Sequence, residues 1–180
     1  YLQDLSLIER IPNSVINSFF SLANPSLDFL RQKKQIEAHE PVMLHVRRGD
    51  YLNPYSLRRH GVLNEEYYSN ALDHLNLDRS NEQVIIFTDT PEWGAYLLKH
   101  LGLKKGQVFS ADTSASEELV LMSHGRGLVM ANSTFSWWSA FLMKNGGRIV
   151  APSPWLVREP RPANIIGQSW EEITATYSKS

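Results

Sequence analysis

Three short blocks of this sequence carry residues that could act on a charged ligand. His45-Val46-Arg47-Arg48-Gly49-Asp50 sets two adjacent guanidinium groups directly behind an apolar run. Guanidinium forks match phosphate oxygens, and a diphosphate offers enough oxygens for two forks. An arginine folded back on Asp50 as a structural clamp is the alternative. Alternation along a strand sends His45 and Arg47 to one face and Arg48 to the other. At most one arginine then reaches a ligand easily, unless the strand ends at Arg47. Thr88-Asp89-Thr90 supplies a carboxylate that can accept two hydrogen bonds. Among nucleobases only guanine presents two adjacent donors on one edge, but an aspartate favoured by the start of a helix at Thr90-Pro91 explains the residue equally well. Asn132-Ser133-Thr134-Phe135-Ser136-Trp137-Trp138 gathers small hydroxyls before a helix. They can bind an anion at a helix N-terminus or simply cap it. The two tryptophans either stack on a sugar or fill a core. Asn132-Ser133-Thr134 also spells a glycosylation sequon, which a position inside a ligand cleft would close to modification.

The elements around these blocks alternate. Apolar runs at Val42-Met43-Leu44-His45-Val46, Gln83-Val84-Ile85-Ile86-Phe87, Val108-Phe109, Leu128-Val129-Met130 and Arg148-Ile149-Val150-Ala151 read as strands. Between them lie a helix capped by Asn64, one opened by Thr90-Pro91 and closed by Gly102, one with a Ser114/Glu117 capping box, and one capped at residues 132–134 and running through Leu142. Asn24-Pro25 is expected to open a further helix through Gln35, with a partial apolar stripe of Leu27, Leu30, Lys34 and Ile36. Pro152, Pro154, Pro160 and Pro162 impose an extended tail, followed by a short helix around Trp170 to Ile173. Alternating strands and helices imply a Rossmann-like α/β fold with a mostly parallel sheet. Such sheets bind ligands beyond the carboxyl ends of their strands, and the unusual residues cluster at those ends.

Composition narrows the options further. A chain of 180 residues can bury roughly 70% of its unfolded surface and needs no staples. Eighteen basic against nineteen acidic residues remove the bulk electrostatic case for nucleic acid or an anionic membrane. The absence of cysteine excludes a disulfide frame, a thiolate zinc site and a cysteine nucleophile. No apolar run reaches the ~18 residues of a membrane span. The sequence holds no Gly-x-Gly-x-x-Gly, Walker lysine loop, Asp-x-Asp pair, His-Glu-x-x-His or Gly-x-Ser-x-Gly. Phosphate binding would therefore fall to arginines and helix N-termini.

Taken together, the blocks resemble the alpha-1,2-fucosyltransferases, which attach L-fucose to the 2-hydroxyl of a galactose. The resemblance rests on residues 45–51, Thr88-Asp89, residues 117–123, residues 131–138 and Ile149-Val150-Ala151-Pro152-Ser153-Pro154-Trp155, in that order. It implies the C-terminal, donor-binding half of a GT-B-type enzyme, with GDP-fucose as donor substrate, a galactose-terminated glycan as acceptor, inversion at fucose, and no cofactor or metal. It implies that Arg47 and Arg48 hold the diphosphate with His45 near the nucleotide, that Asp89 reads guanine, and that Ser133, Thr134 and Ser136 contact phosphate or fucose. Asp50 stands as a base or as an orienter of the arginines.

Two departures accompany the match. Gly127 occupies a position where the family commonly has histidine, within His124-Gly125-Arg126-Gly127, so His124 or Arg126 stands in for it or that corner is altered. The glycine-rich N-terminal segment of the family is absent, so an acceptor-side domain is expected and not found. Residues 1–40 then read as connecting helices at the end of a preceding domain, and residues 41–180 as the nucleotide-sugar domain. A non-catalytic GDP- or glycan-binding module is the competing reading. The lack of cysteine, span and signal suits the bacterial cytoplasm, with peripheral membrane association compatible.

Overall fold

The computed structural model describes residues 3–143, 146–158, 160 and 164–178. In chain order the elements are α1 (Leu5–Ile8), α2 (Asn13–Phe19), α3 (Leu27–His39), β1 (Val42–Val46), a 3-10 turn (Asp50–Leu52), α4 (Pro54–Arg59), α5 (Glu65–His74), β2 (Gln83–Thr88), α6 (Pro91–His100), β3 (Lys105–Val108), α7 (Ala115–Met122), β4 (Gly127–Val129), α8 (Thr134–Leu142), β5 (Arg148–Ser153) and β6 (Glu171–Thr174). The strands form one sheet in the order β3-β2-β1-β4-β5-β6, each pair parallel. This is the Rossmann-like order, in which winding reverses between β1 and β4 and opens a crevice at their carboxyl ends. Among the described residues no helix is long and apolar enough to cross a membrane.

All five residues of β1 are buried, and their alternation divides the core. Met43 packs with Ile85, Leu128 and Ile149 against side chains of α1, α3, α7 and α8. Val42, Leu44 and Val46 pack with Val84, Ile86 and Val129 against α5 and α6. Each fully buried aliphatic side chain contributes roughly 1.5–3 kcal/mol. Leu5, Ile8, Ile16, Phe29 and Ile36, all from the first forty residues, belong to the same cluster as the strand residues.

Three elements differ from the sequence expectation. α3 starts at Leu27, because Ser26 rather than Asn24 caps it, its hydroxyl accepting the Phe29 N–H at 3.0 Å. Its buried side chains are Phe29 and Ile36, while Leu27 and Leu30 face solvent. The third strand lies earlier than Val108-Phe109, in register with β2 from Gln83↔Lys105. The expected helix at Trp170 to Ile173 is instead the edge strand β6, paired to β5 from Val150↔Glu171. Arg148 on β5 donates to both oxygens of Glu171, at 2.8 and 2.7 Å, and His74 meets the same carboxylate at 2.7 Å. These partners, one across the sheet and one on α5, lie far away in sequence and outweigh a weak local helix preference. Of the prolines expected to extend the tail, Pro162 lies outside the described residues.

The expected capping box is present and does more than cap. Glu117 accepts the Ser114 N–H at 2.7 Å with one oxygen and the Ser26 N–H at 2.6 Å with the other. One carboxylate thus satisfies the N-cap residues of both α7 and α3 and ties the two helices together. The hydrogen bonds from Ser26 and then Ser114 hold its pKa down to about 2. A carboxylate depressed in the folded state stabilises fully above its unfolded pKa and loses that contribution as pH falls through the folded value. Glu117→Gln should therefore lower the melting temperature at neutral pH, with the gap to wild type closing between about pH 4.5 and pH 2. A gap independent of pH would contradict the tether.

Candidate functional site

The crevice between β1 and β4 is built by buried groups that fix the two strand ends. Tyr67 and Tyr68, adjacent on α5 and fully buried, donate to the Met130 carbonyl at 2.7 Å and the His45 carbonyl at 3.1 Å. Burial raises both phenol pKa values well above the ordinary range, so both remain donors. The His45 ring sits 5.4 Å from Phe135 of α8, centroid to centroid. Burial first, then the Arg47 charge, push its pKa down to about 3. The imidazole is neutral at physiological pH. Its Nδ1 is buried and has no hydrogen-bond partner among the described residues.

Beyond Val46 the two arginines part. Arg47 makes ion pairs with Asp50 Oδ1 at 2.9 Å and Asp89 Oδ2 at 3.2 Å. Its guanidinium lies 5.9 Å from the Tyr51 ring centroid. Arg48 turns to the α5/α6 side and lies 4.4 Å over the Trp93 ring, while its backbone N–H donates to Asp89 Oδ1 at 3.0 Å. This is the divergence that alternation demands. Asp89 also accepts from the Thr90 hydroxyl at 3.2 Å, so three donors converge on one carboxylate. Gly49 allows this approach: a Cβ there would sit 2.7 Å from Asp89 Oδ2.

The third block opens α8. Ser133 caps the helix by accepting the Phe135 N–H at 3.2 Å, and Thr134 follows it, exposed. Ser136 is not in the crevice. It is wholly buried and donates to the Ala131 carbonyl at 2.8 Å, so its hydroxyl shapes the turn into α8. Asn132 is also structural, donating to the carbonyls of His60 at 2.7 Å and Trp155 at 3.2 Å. Both bonds use the amide nitrogen that glycosylation would need. Neither tryptophan reaches the crevice: Trp137 is fully buried and Trp138 packs against the same core, 5.2 Å from Phe20.

A cleft of about 760 Å³ runs along these strand ends, lined by Arg47, Asp50, Ser133, Thr134 and Phe135. Eight of its other lining residues were not singled out from sequence, among them Gln3, Asp4, Tyr55, Arg59 and His60. Tyr55 and Arg59 sit on α4, a short helix without apolar periodicity, and Gln3 and Asp4 reach the cleft only through tertiary packing. His124 and Arg126, the expected stand-ins for a family histidine, lie at the amino end of β4, away from the cleft. They pair with Glu37 (3.2 Å) and Glu82. Gly127 itself pairs with Val42 and Arg148 in the sheet. Among the described residues no group of three or more metal-ligating side chains gathers.

Fold and site define a doubly wound α/β domain with an arginine and a helix N-terminus at its switch point. Comparison with known proteins makes the class specific. The family model described as glycosyl transferase family 11 matches residues 22–173, and the chain belongs to that family. It is similar to an alpha-1,2-colitosyltransferase from Escherichia coli, 31% identical over 80% of the chain and 51% of the relative. It is also similar to the O-antigen biosynthesis glycosyltransferase WbnK from Escherichia coli, 31% identical over 94% of the chain and 58% of the relative. A galactoside alpha-(1,2)-fucosyltransferase 1 from Oryctolagus cuniculus is 29% identical over 56% of the chain and 28% of its own length. The chain spans about half the length of the two bacterial relatives.

The Gly49–Asp89 contact gives a direct test of how Arg47 is held. Gly49→Ala should cost about 1 kcal/mol of stability in the wild-type background and markedly less in Asp89→Ala, since the clash then has no partner. Equal costs in both backgrounds, read by denaturant unfolding, would show that the glycine serves something else.

Proposed function

We propose that this chain is the donor-binding part of an inverting glycosyltransferase that moves L-fucose from GDP-fucose to the 2-hydroxyl of a terminal galactose in a glycan. The observation that carries the reading is the meeting of Arg47 with the N-terminus of α8 in one cleft at the strand switch point. The names of the colitosyltransferase and fucosyltransferase relatives support the alpha-1,2 linkage, and the E. coli O-antigen relative supports a bacterial polysaccharide setting.

In this reaction the galactose hydroxyl attacks the anomeric carbon from the face opposite GDP. A new C–O bond forms, the bond to the diphosphate oxygen breaks, and GDP leaves with the electron pair. Negative charge builds on the diphosphate as the sugar becomes oxocarbenium-like. Arg47 and the α8 backbone N–H groups beyond Ser133 would take up that charge, with the Ser133 and Thr134 hydroxyls alongside. A preorganised donor at such a position is worth about 3 kcal/mol, or ~10²-fold in rate. Asp50 lines the cleft beside Arg47 and would orient it or accept the hydroxyl proton. Arg47 moving onto phosphate would release Asp89 Oδ2, leaving that oxygen to accept from guanine. Arg48 would act at one remove, through Trp93 and its own backbone N–H. The colitosyl transfer named for one relative makes a nucleotide-activated colitose the competing donor.

Calorimetric titration with GDP, ADP, UDP and GDP-fucose, with and without EDTA, tests the reading. GDP and GDP-fucose should bind in preference to ADP and UDP, EDTA should change nothing, and Asp89→Ala should erase the preference for guanine. Arg47→Ala should weaken GDP at least ~10-fold without loss of fold. Binding that ignores the base, or that EDTA abolishes, would refute it.

A further inference from the structure

One aromatic ring of the cleft is uncommitted. Tyr51 and Phe135 also line it, but both are half-buried and engaged. Tyr51 donates to the Asn132 carbonyl at 3.1 Å, and Phe135 packs on the His45 ring. The Tyr55 side chain is 66% exposed and, among the described residues, has no hydrogen bond, ion pair or ring partner. Its backbone is fixed nonetheless. Asn53 Oδ1 accepts the N–H groups of Tyr55 at 3.1 Å and Ser56 at 2.9 Å, and the Asn53 amide donates to the Asp50 carbonyl. The ring is thus carried on a backbone tied to a residue that pairs with Arg47.

The topology decides which part of a nucleotide sugar comes near it. β2 borders β1 on one side and β4 borders it on the other. Asp89 follows β2, and it is not among the described residues that line the cleft. The end of α4 lies toward the other side. The Arg59 carbonyl accepts the Val157 N–H beyond β5 at 3.1 Å, and the His60 carbonyl accepts from Asn132 beyond β4 at 2.7 Å. With phosphates on Arg47 and the base turned to Asp89, the sugar end is directed toward α4. An open aromatic face there suits the apolar face of a pyranose. Galactose has such a face, because its axial O4 leaves the C–H groups of C3, C4 and C5 together. The cleft also holds polar groups for hydroxyls. They are the Asp4 carboxylate and the Gln3 side chain, which is 8% exposed with an unpartnered amide nitrogen. An apolar platform with a few fixed polar groups orients a neutral ligand.

We propose that Tyr55 is the stacking platform for the acceptor galactose, so that this chain carries part of the acceptor subsite as well as the donor site. The proposal rests on reading the cleft as a nucleotide-sugar site. Tyr55 sets the plane of the galactose ring, and Asp4 and Gln3 meet its hydroxyls.

The test is NMR titration of methyl β-galactoside into the GDP-saturated chain, for wild type, Tyr55→Ala, Tyr55→Phe and Tyr55→Trp. Affinities for GDP and GDP-fucose are measured in parallel, with melting curves confirming the fold. Wild type should transfer saturation to the C3, C4 and C5 protons of the galactoside. It should bind methyl β-glucoside more weakly, since an equatorial O4 breaks the apolar face. Tyr55→Ala should weaken the galactoside ~10-fold and leave GDP and GDP-fucose within ~2-fold of wild type. Tyr55→Phe and Tyr55→Trp should keep the binding. Galactoside affinity unchanged in Tyr55→Ala, or no galactoside binding by a wild type that binds GDP, would overturn the proposal and leave the donor site standing. A loss on GDP-fucose alone would assign the ring to the donor sugar, and equal losses on GDP and GDP-fucose would assign it to the nucleotide; either overturns the proposal. If wild type binds none of GDP, ADP or UDP, the reading of the cleft fails and the proposal falls with it.

Discussion

A strand buried on both faces cannot carry charge until it ends. β1 is such a strand, and the organisation of the site follows from what happens in the residues just after Val46. Alternation fixes their directions, so Arg47 emerges on the side of α8 and Arg48 on the side of α6. Each charge must then find compensation close to the sheet. Asp89, at the exit of the neighbouring strand β2, meets the Arg47 side chain and the Arg48 backbone together. The absence of a side chain at Gly49 leaves room for that carboxylate, since a Cβ there would lie 2.7 Å from Asp89 Oδ2. The two arginines part as alternation along the strand predicts, Arg47 into the cleft and Arg48 over Trp93.

The rest of the cleft is a set of loops tied to that strand end. Tyr67 and Tyr68 hold the carbonyls where β1 and β4 finish. Asn132 stitches the start of α8 to the end of α4 and to Trp155 beyond β5. Ser136 spends its hydroxyl on the turn. Much of the polar sequence signature in residues 131–136 is therefore scaffolding: Asn132, Ser133 and Thr134 line the cleft, but the Asn132 amide nitrogen is spent on the carbonyls of His60 and Trp155. The scaffold matters chemically, since donors stabilise developing charge only when they need no reorganisation.

Local signals account for what could be read from the sequence. The Ser114/Glu117 box, the Asn64 cap and the apolar runs of β1 and β2 depend on neighbours within a few residues, and the structure keeps them. The second role of Glu117, as acceptor for Ser26, joins positions far apart in the chain and leaves no local trace. The same holds for β6, whose strand state depends on Arg148 and on pairing with β5. Arg59 and Tyr55 escaped notice because α4 is six residues long, too short for periodicity, and reaches the cleft only after folding. The tryptophans of residues 137–138 went to the core, where burial of large aromatic area outweighs a role in the cleft.

The central claim is that phosphates bind where β1 and β4 part, against Arg47 and the first turn of α8. Amide chemical-shift mapping during a GDP titration measures this most directly. The account predicts that the largest shifts fall on Arg47 to Asp50 and on Ser133 to Phe135, with the amino ends of the strands unmoved. Shifts centred instead on His39, Glu82 and Arg126, at the opposite end of the sheet, would contradict it.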